Sequence, residues 1–217
     1  MFYKLNVKSW KRNKKKSSQL RLMREFVYFS RRAVTTGNFD DLMKAGRMDI
    51  VTHIIVTSFF LSNKERESVK LNLFFYGPPN PPKRLEIISD ENGLDVSISK
   101  KDMIGLIKRM LYKGAKAKER KEVFPNCYVS SQSVLDYLKE LKKEDRNIYL
   151  LDERGDNIRN ISIGENPVFF LGDHEGYPTD EKRRIKKNGT MISLGPETYF
   201  ASQSMTILQN ELDIRGI

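Results

Sequence analysis

Three places in this 217-residue chain carry side chains able to do chemistry. The first is the run from Asn166 to Gly176, where Val168 to Leu171 are apolar, Gly172 ends them, and Asp173, His174 and Glu175 follow. A carboxylate beside an imidazole offers proton transfer or metal ligation. The chain holds only two histidines, however, and His53 lies in an apolar segment where packing is its expected role. His174, on a turn, reads as a hydrogen bonder that shapes its loop. The second place is Gly46-Arg-Met-Asp49, where a cation and a carboxylate flank Met48 at the start of an apolar helix. On composition alone this is a solvated first turn, with Asp49 favoured by the helix dipole. The third is Cys127, the single cysteine, which excludes an intrachain disulfide, builds no zinc cluster and reads as structural. No metal is expected. Neither a Gly-x-Gly-x-x-Gly nor a Gly-Lys-Ser/Thr loop is present, so the familiar dinucleotide and NTPase phosphate cradles are excluded.

Strands that alternate with helices must position these groups. Four apolar residues at 168–171 are enough for a strand buried on both faces and too few for a helix. Open α/β sheets bind ligands beyond the carboxyl ends of such strands. Residues 25–30, 70–76, 85–88, 147–151 and 190–194 read as further strands, and Arg154-Gly155 and residues 90–93 as turns. Apolar residues at 51, 54, 55, 59 and 61 trace one face of a helix. A helix capped by Ser99 is expected over 100–120, another over 134–141 after Ser131 or Ser133, a basic one over 180–187, and a last over 198–212. Gly77-Pro-Pro-Asn-Pro-Pro82 is a stiff surface loop, because proline cannot donate to a sheet ladder. This order predicts an α/β fold with a mostly parallel sheet. The loop after Gly172 and the one after Leu194 are together expected to hold a cofactor.

The net charge of +11 invites a nucleic-acid partner. Residues 1–22 contain eight of the bases and no acid, and removing them leaves 31 Lys and Arg against 28 Asp and Glu. That basic extension reads as disordered or not native, with Met23 a natural start for a single domain spanning 23–217. Basic clustering survives its removal. Nine bases and two acids lie between Lys100 and Lys121, and five bases between Lys182 and Lys187. Two runs of one sign, one beside the expected ligand site, favour a phosphate backbone as partner. No run approaches the roughly 18 apolar residues of a membrane span, and no signal-peptide pattern opens the chain, so a cytoplasmic protein is expected.

Six motifs then carry a resemblance. Arg24-Glu-Phe-Val-Tyr28, Gly46-Arg-Met-Asp49, Phe60-Leu-Ser62, Tyr76-Gly-Pro-Pro-Asn-Pro-Pro82, Asn166-Pro-Val-Phe-Phe-Leu-Gly-Asp-His174 and Ile192-Ser-Leu194 occur in this order. Together they resemble the archaeal tRNA pseudouridine-54 N1-methyltransferase family of the SPOUT superfamily, over residues 23–213. The resemblance implies a mostly parallel α/β sheet with a C-terminal trefoil knot, a homodimer, and S-adenosylmethionine bound in the knot. It also implies a cofactor site at Leu151, Gly172, Ser193, Leu194, Gly195, Pro196, Glu197, Thr198 and Ser204. Relatives are expected to carry cysteine at the last position, and a buried serine there would need a hydrogen bond. Catalysis falls to Asp49, as the group facing N1 of the target base, with Arg47 on the base or a phosphate. Arg31, Arg32, Lys182, Arg183 and Arg184 are the expected RNA contacts. The implied reaction is methylation of pseudouridine in tRNA. A related activity on small-subunit ribosomal RNA, or an RNA-binding protein that has lost catalysis, are the competing expectations.

Overall fold

Phe26, Val27, Tyr28 and Phe29 are each no more than 1% exposed, so their strand is buried on both faces. Alternation sends Phe26 and Tyr28 into one apolar layer and Val27 and Phe29 into the other. This strand, β1 (Arg24–Ser30), lies inside an eight-stranded sheet in the computed structural model, which describes residues 23–90 and 100–217. The basic extension 1–22, the Ser99 cap and most of the expected turn at 90–93 lie outside the described residues.

The remaining elements follow in chain order as α1 (Met48–Phe59), β2 (Val69–Phe75), β3 (Lys83–Ser89), α2 (Lys100–Lys113), β4 (Lys121–Phe124) and β5 (Cys127–Ser130). Then come α3 (Val134–Lys143), β6 (Asn147–Asn157), β7 (Pro167–Gly172), α4 (Thr179–Asn188), β8 (Thr190–Ser193) and α5 (Ala201–Arg215). The sheet order is β4-β5-β3-β2-β1-β7-β6-β8. From β2 to β8 all four pairings are parallel, whereas β2–β3, β3–β5 and β5–β4 are antiparallel. Apolar residues of α1, α2 and α5 share one core layer, and those of α3 and α4 the other. No helix among the described residues is long and apolar enough to cross a membrane.

Four expectations need correction. The helix predicted over 100–120 stops at Lys113, because Gly114 packs so closely that a Cβ there would lie 2.5 Å from Val129. The buried Lys83 then gathers the carbonyls of Ala115 at 2.9 Å and Ala117 at 3.3 Å. Beyond it an unforeseen hairpin, β4–β5, turns at Pro125-Asn126, with Asn126 left-handed at φ 60°. The turn at Arg154-Gly155 is absorbed into β6, whose pairing with β8 shifts register between Leu151 and Asp156. The last helix begins at Ala201 rather than Thr198, with Gln203 accepting from the Phe200 amide at 3.0 Å.

At the start of β1 the sheet buries a carboxylate. Glu25 is fully buried, accepts from Asn72 at 2.8 Å and from the Tyr137 hydroxyl, and lies 3.4 Å from the Lys70 ammonium. Arg146 approaches its other oxygen at 3.0 Å, as an ion pair without hydrogen-bond alignment. Burial and the Glu25 charge hold the Tyr137 phenol far above its ordinary range, so it stays protonated and donates. Removing one member of such a cluster strands the charges around it. Glu25→Ala should therefore lower unfolding free energy by about 3 kcal/mol, read as a reduced urea midpoint at unchanged slope.

Candidate active site

The middle of β6 and the carboxyl ends of β7 and β8, with the start of α5, enclose a cavity of about 580 Å³, within the range of small-molecule sites. Its apolar walls are Ile50, Leu151, Leu171, Ile192, Leu194 and Tyr199. Acidic side chains lining it are Asp152, Glu153, Asp173, Glu175 and Glu197, with Arg154 and Lys182 as cationic counterparts and the imidazole of His174 beside them. The structure thus brings together eight of the nine expected cofactor residues: Leu151, Gly172, Ser193, Leu194, Gly195, Glu197, Thr198 and Ser204. Pro196, exposed on the same loop, does not line the cavity.

Local geometry explains the shape. Gly172 ends β7 in register with Phe29 of β1, and a Cβ on it would lie 2.8 Å from the Gly176 Cα. Only glycine lets the 173–176 loop fold back this tightly. Asp173 holds that loop: its carboxylate accepts from the Arg31 amide at 3.1 Å and the Glu175 amide at 2.9 Å. Its own carbonyl accepts from the Gly176 amide at 2.9 Å. The loop-shaping role expected of His174 therefore belongs to Asp173. His174 stays half-exposed, 3.9 Å from Glu175. On the opposite wall the Leu194 carbonyl accepts from Arg159 at 3.1 Å, and Thr198 donates to Glu153 at 3.2 Å. Ser204 is only half-buried on the first turn of α5 and borders the cavity. It is not sealed in the core, contrary to the expectation for a residue standing in for a buried cysteine.

Arg47 and Asp49 do not line this cavity; α1 reaches it through the next residue, Ile50. Arg47 adopts the left-handed conformation, φ 64°, as the N-cap of α1. It follows Gly46, whose backbone passes so near Arg32 that a Cβ would fall 1.9 Å from the Arg32 carbonyl oxygen. From this turn the Arg47 guanidinium grips Asp49 with two hydrogen bonds of 3.0 Å. That grip holds the Asp49 carboxyl below its usual range, burial opposing it, and raises Arg47 in turn. Tyr28, buried between the two regions, has its phenol pushed up by burial and then by Asp173, with Asp49 adding to this and Arg47 opposing it. The α1 start and the β7 loop therefore act on one common side chain.

The expected RNA contacts divide. Arg31 and Arg32 are exposed, although Arg32 pairs with Glu175. Arg183 and Arg184 face solvent on α4, Arg183 lying 2.8 Å from Asp180. Lys182 instead borders the cavity and binds Asp152 at 2.6 Å, which keeps that carboxylate ionised against its burial. Sequence reasoning missed Asp152 and Tyr199 as site residues, and it weighed Asp173 for acid–base or metal chemistry rather than as the holder of its loop. Asp152 follows Leu151 at the end of the predicted strand, and that position alone could have flagged it. His53 lies half-buried in α1 and does not border the cavity. Cys127 is buried on β5, its thiol pushed up to about 11 by that burial, so it is inert rather than nucleophilic. Among the described residues no three His, Cys, Asp or Glu side chains gather as a metal site.

With this geometry in place, comparison with known proteins is informative. A Methanococcoides burtonii protein named tRNA (pseudouridine(54)-N(1))-methyltransferase is 35% identical over 88% of this chain and 96% of its own length. A Methanocaldococcus jannaschii protein of the same name is 31% identical over 90% of this chain and 98% of its own. Among solved structures, Archaeoglobus fulgidus Nep1 bound to S-adenosylhomocysteine superposes with a TM-score of 0.59. It covers 90% of this chain and 100% of its own at 12% identity, which establishes a shared fold. The family model described as "Putative SAM-dependent RNA methyltransferase" matches residues 23–217. The chain belongs to this SAM-dependent RNA methyltransferase family.

Proposed function

We propose that this protein methylates N1 of pseudouridine 54 in tRNA, using S-adenosylmethionine bound in the cavity above β6, β7 and β8. The observation that carries the reading is that cavity, with the Arg47–Asp49 pair beside it. Its residues fit the cofactor. The close turn at Gly172 lets backbone approach an adenosyl group, Leu151 and Leu194 offer apolar walls, and the acidic lining suits a positively charged sulfonium. Ser193, Leu194, Gly195, Glu197, Thr198 and Ser204 complete this wall, with Pro196 exposed on the same loop. When bound, S-adenosylmethionine supplies an electrophilic methyl group for a single in-line displacement.

What the chain itself must do is align the base, exclude water and take charge of one proton. Pseudouridine is joined to its ribose through carbon, so its N1 carries a hydrogen that an ordinary uridine lacks. As the N1–C bond forms and the methyl–sulfur bond breaks to leave a neutral thioether, that proton leaves. Asp49, ionised at neutral pH, accepts it or a hydrogen bond from it, while Arg47 turns from Asp49 toward the incoming base or its phosphate. Loss of Arg47 raises the proton affinity of the carboxylate, since the pair is what depresses it. Arg31, Arg32, Arg183 and Arg184 surround this approach as phosphate contacts; Lys182 serves Asp152 and the cavity.

The same reading takes residues 23–217 as one domain and the C-terminal segments as a trefoil knot. It also takes the protein as a cytoplasmic homodimer. Phe200 and Ile214, 71% and 73% exposed on or beside α5, are apolar surface for a second copy to cover.

Four measurements test this reading. Labelled methyl transfer onto tRNA transcripts with pseudouridine or uridine at position 54, beside ribosomal hairpins, should label only the pseudouridine tRNA; preferential labelling of the hairpin would move the substrate to ribosomal RNA. Asp49→Asn should slow single-turnover methylation by about 10²-fold or more with unchanged cofactor affinity, whereas a rate within about threefold of wild type removes Asp49 as the base. Because its carboxyl lies below the ordinary carboxylate range, protonating Asp49 should cost activity only below about pH 4. Gly172→Ala must displace the 173–176 loop and should weaken S-adenosylmethionine binding by about tenfold in calorimetry, with the fold retained by circular dichroism.

A further inference from the structure

We infer that the outer face of α2 is a second RNA-binding surface, separate from the cavity, which holds phosphates on Arg109 and Lys113 and stacks an unpaired base on Tyr112. Tyr112 is 82% exposed, an unusual position for a tyrosine in a chain that buries most of its aromatic residues. Residues 109, 112 and 113 stand at helical spacings of three and four, so they share one stripe of α2. Exposed Lys116 continues the charge into the following turn. Phe124 forms a shelf beneath the stripe, with the Lys113 ammonium 3.9 Å and the Arg109 guanidinium 5.7 Å from its ring centroid. The shelf orients both cations without neutralising them. Together with Gly37 and Lys108 the stripe borders a shallow concavity of about 260 Å³.

Charge decides the occupant. Several of the chain's other cations are committed to carboxylates: Arg24 and Arg66 to Asp213, Arg120 and Arg84 to Glu86, Lys182 to Asp152. Among the described residues no carboxylate lies within ion-pair distance of Arg109, Lys113 or Lys116. On this side Asp40 sits 3.4 Å from Lys108, Asp102 lies in the first turn of α2, and Glu119 and Glu122 are exposed farther along. Unpaired cations around an exposed aromatic ring are the combination that reads single-stranded or looped RNA: phosphates for affinity, a π-face for any splayed base. The route from the cavity is short in chain terms. Arg31 and Arg32 beside the 173–176 loop lead directly to Gly37, whose Cβ position lies 2.3 Å from the Lys108 carbonyl. One RNA molecule can thus be held at the cavity and along α2 by the two ends of the same loop.

This inference rests on an RNA substrate, not on the identity of the methylated base, and its test is built accordingly. Affinity of the full chain for a pseudouridine-containing tRNA transcript is measured against potassium chloride concentration, for Arg109→Ala/Lys113→Ala, Tyr112→Ala and Tyr112→Phe. The double variant should bind at least about tenfold more weakly and flatten the log–log salt slope by about 1.5. Tyr112→Ala should lose about tenfold while Tyr112→Phe keeps wild-type affinity. S-adenosylmethionine affinity should be unchanged in all three, which also reports intact folding. Unaltered RNA affinity and salt slope would overturn the inference. So would a change in sedimentation without a change in RNA affinity, which would mark the stripe as a protein contact. A transcript that binds in this pattern but is never methylated leaves the surface standing and removes the proposed reaction instead.

Discussion

The register of β1 between β2 and β7 is the constraint on which the rest of the structure depends. Both neighbours run parallel to it, Arg24 to Ser30 opposite Val69 to Phe75 and Glu25 to Phe29 opposite Val168 to Gly172. Side chains alternate between two buried layers, so a slip of one residue would exchange the layers completely. It would also carry Glu25 away from Asn72, Tyr137, Lys70 and Arg146. The buried carboxylate is therefore compatible with one register. At the other end of the same strands that register sets Gly172 beside Phe29, and Asp173 beneath the Arg31 amide. The cavity's geometry thus follows from a constraint some five residues away along β1.

Electrostatics divides the molecule into committed and uncommitted charge. Buried or half-buried arginines are used up on carboxylates, as where Arg66 meets both oxygens of Asp213 at 2.5 and 2.7 Å. In Asp213, burial alone would raise the carboxyl, and the two arginines reverse that, so the clamp weakens only as pH falls below the ordinary carboxylate range. The Arg47–Asp49 pair is different in being about one-third exposed, at 38% and 31%, and in sitting beside the cavity. Water screens it, so it contributes little to stability and can exchange partners at low cost. That exchangeability is what a group meeting a charged substrate requires. The overall charge of +11 is therefore a poor guide to where a polyanion docks; the local balance after pairing is the informative quantity.

What the sequence by itself determined was the alternating α/β order, the buried strand at 168–171, the turn at Gly172 that borders the cavity and, through six motifs, the family. These depend on local pattern: apolar runs, glycine at a strand end and residue types at fixed offsets survive without knowledge of neighbours. The Lys- and Ala-rich run after Lys113 shows the limit. Its propensity is helical, yet Val129 packing on Gly114 and Lys83 collecting carbonyls end the helix, and both partners are remote in sequence. The sheet order, the pairing of Ile192 with two separate parts of β6, and the transfer of the loop-holding role from His174 to Asp173 were likewise decided only by tertiary structure. So was the commitment of Lys182 to Asp152, while Arg109 and Lys113 stay free of carboxylates among the described residues. The physical reason is common to all of these. A side chain's role is set by its partners, and burial and charge pairing draw those partners from anywhere in the chain.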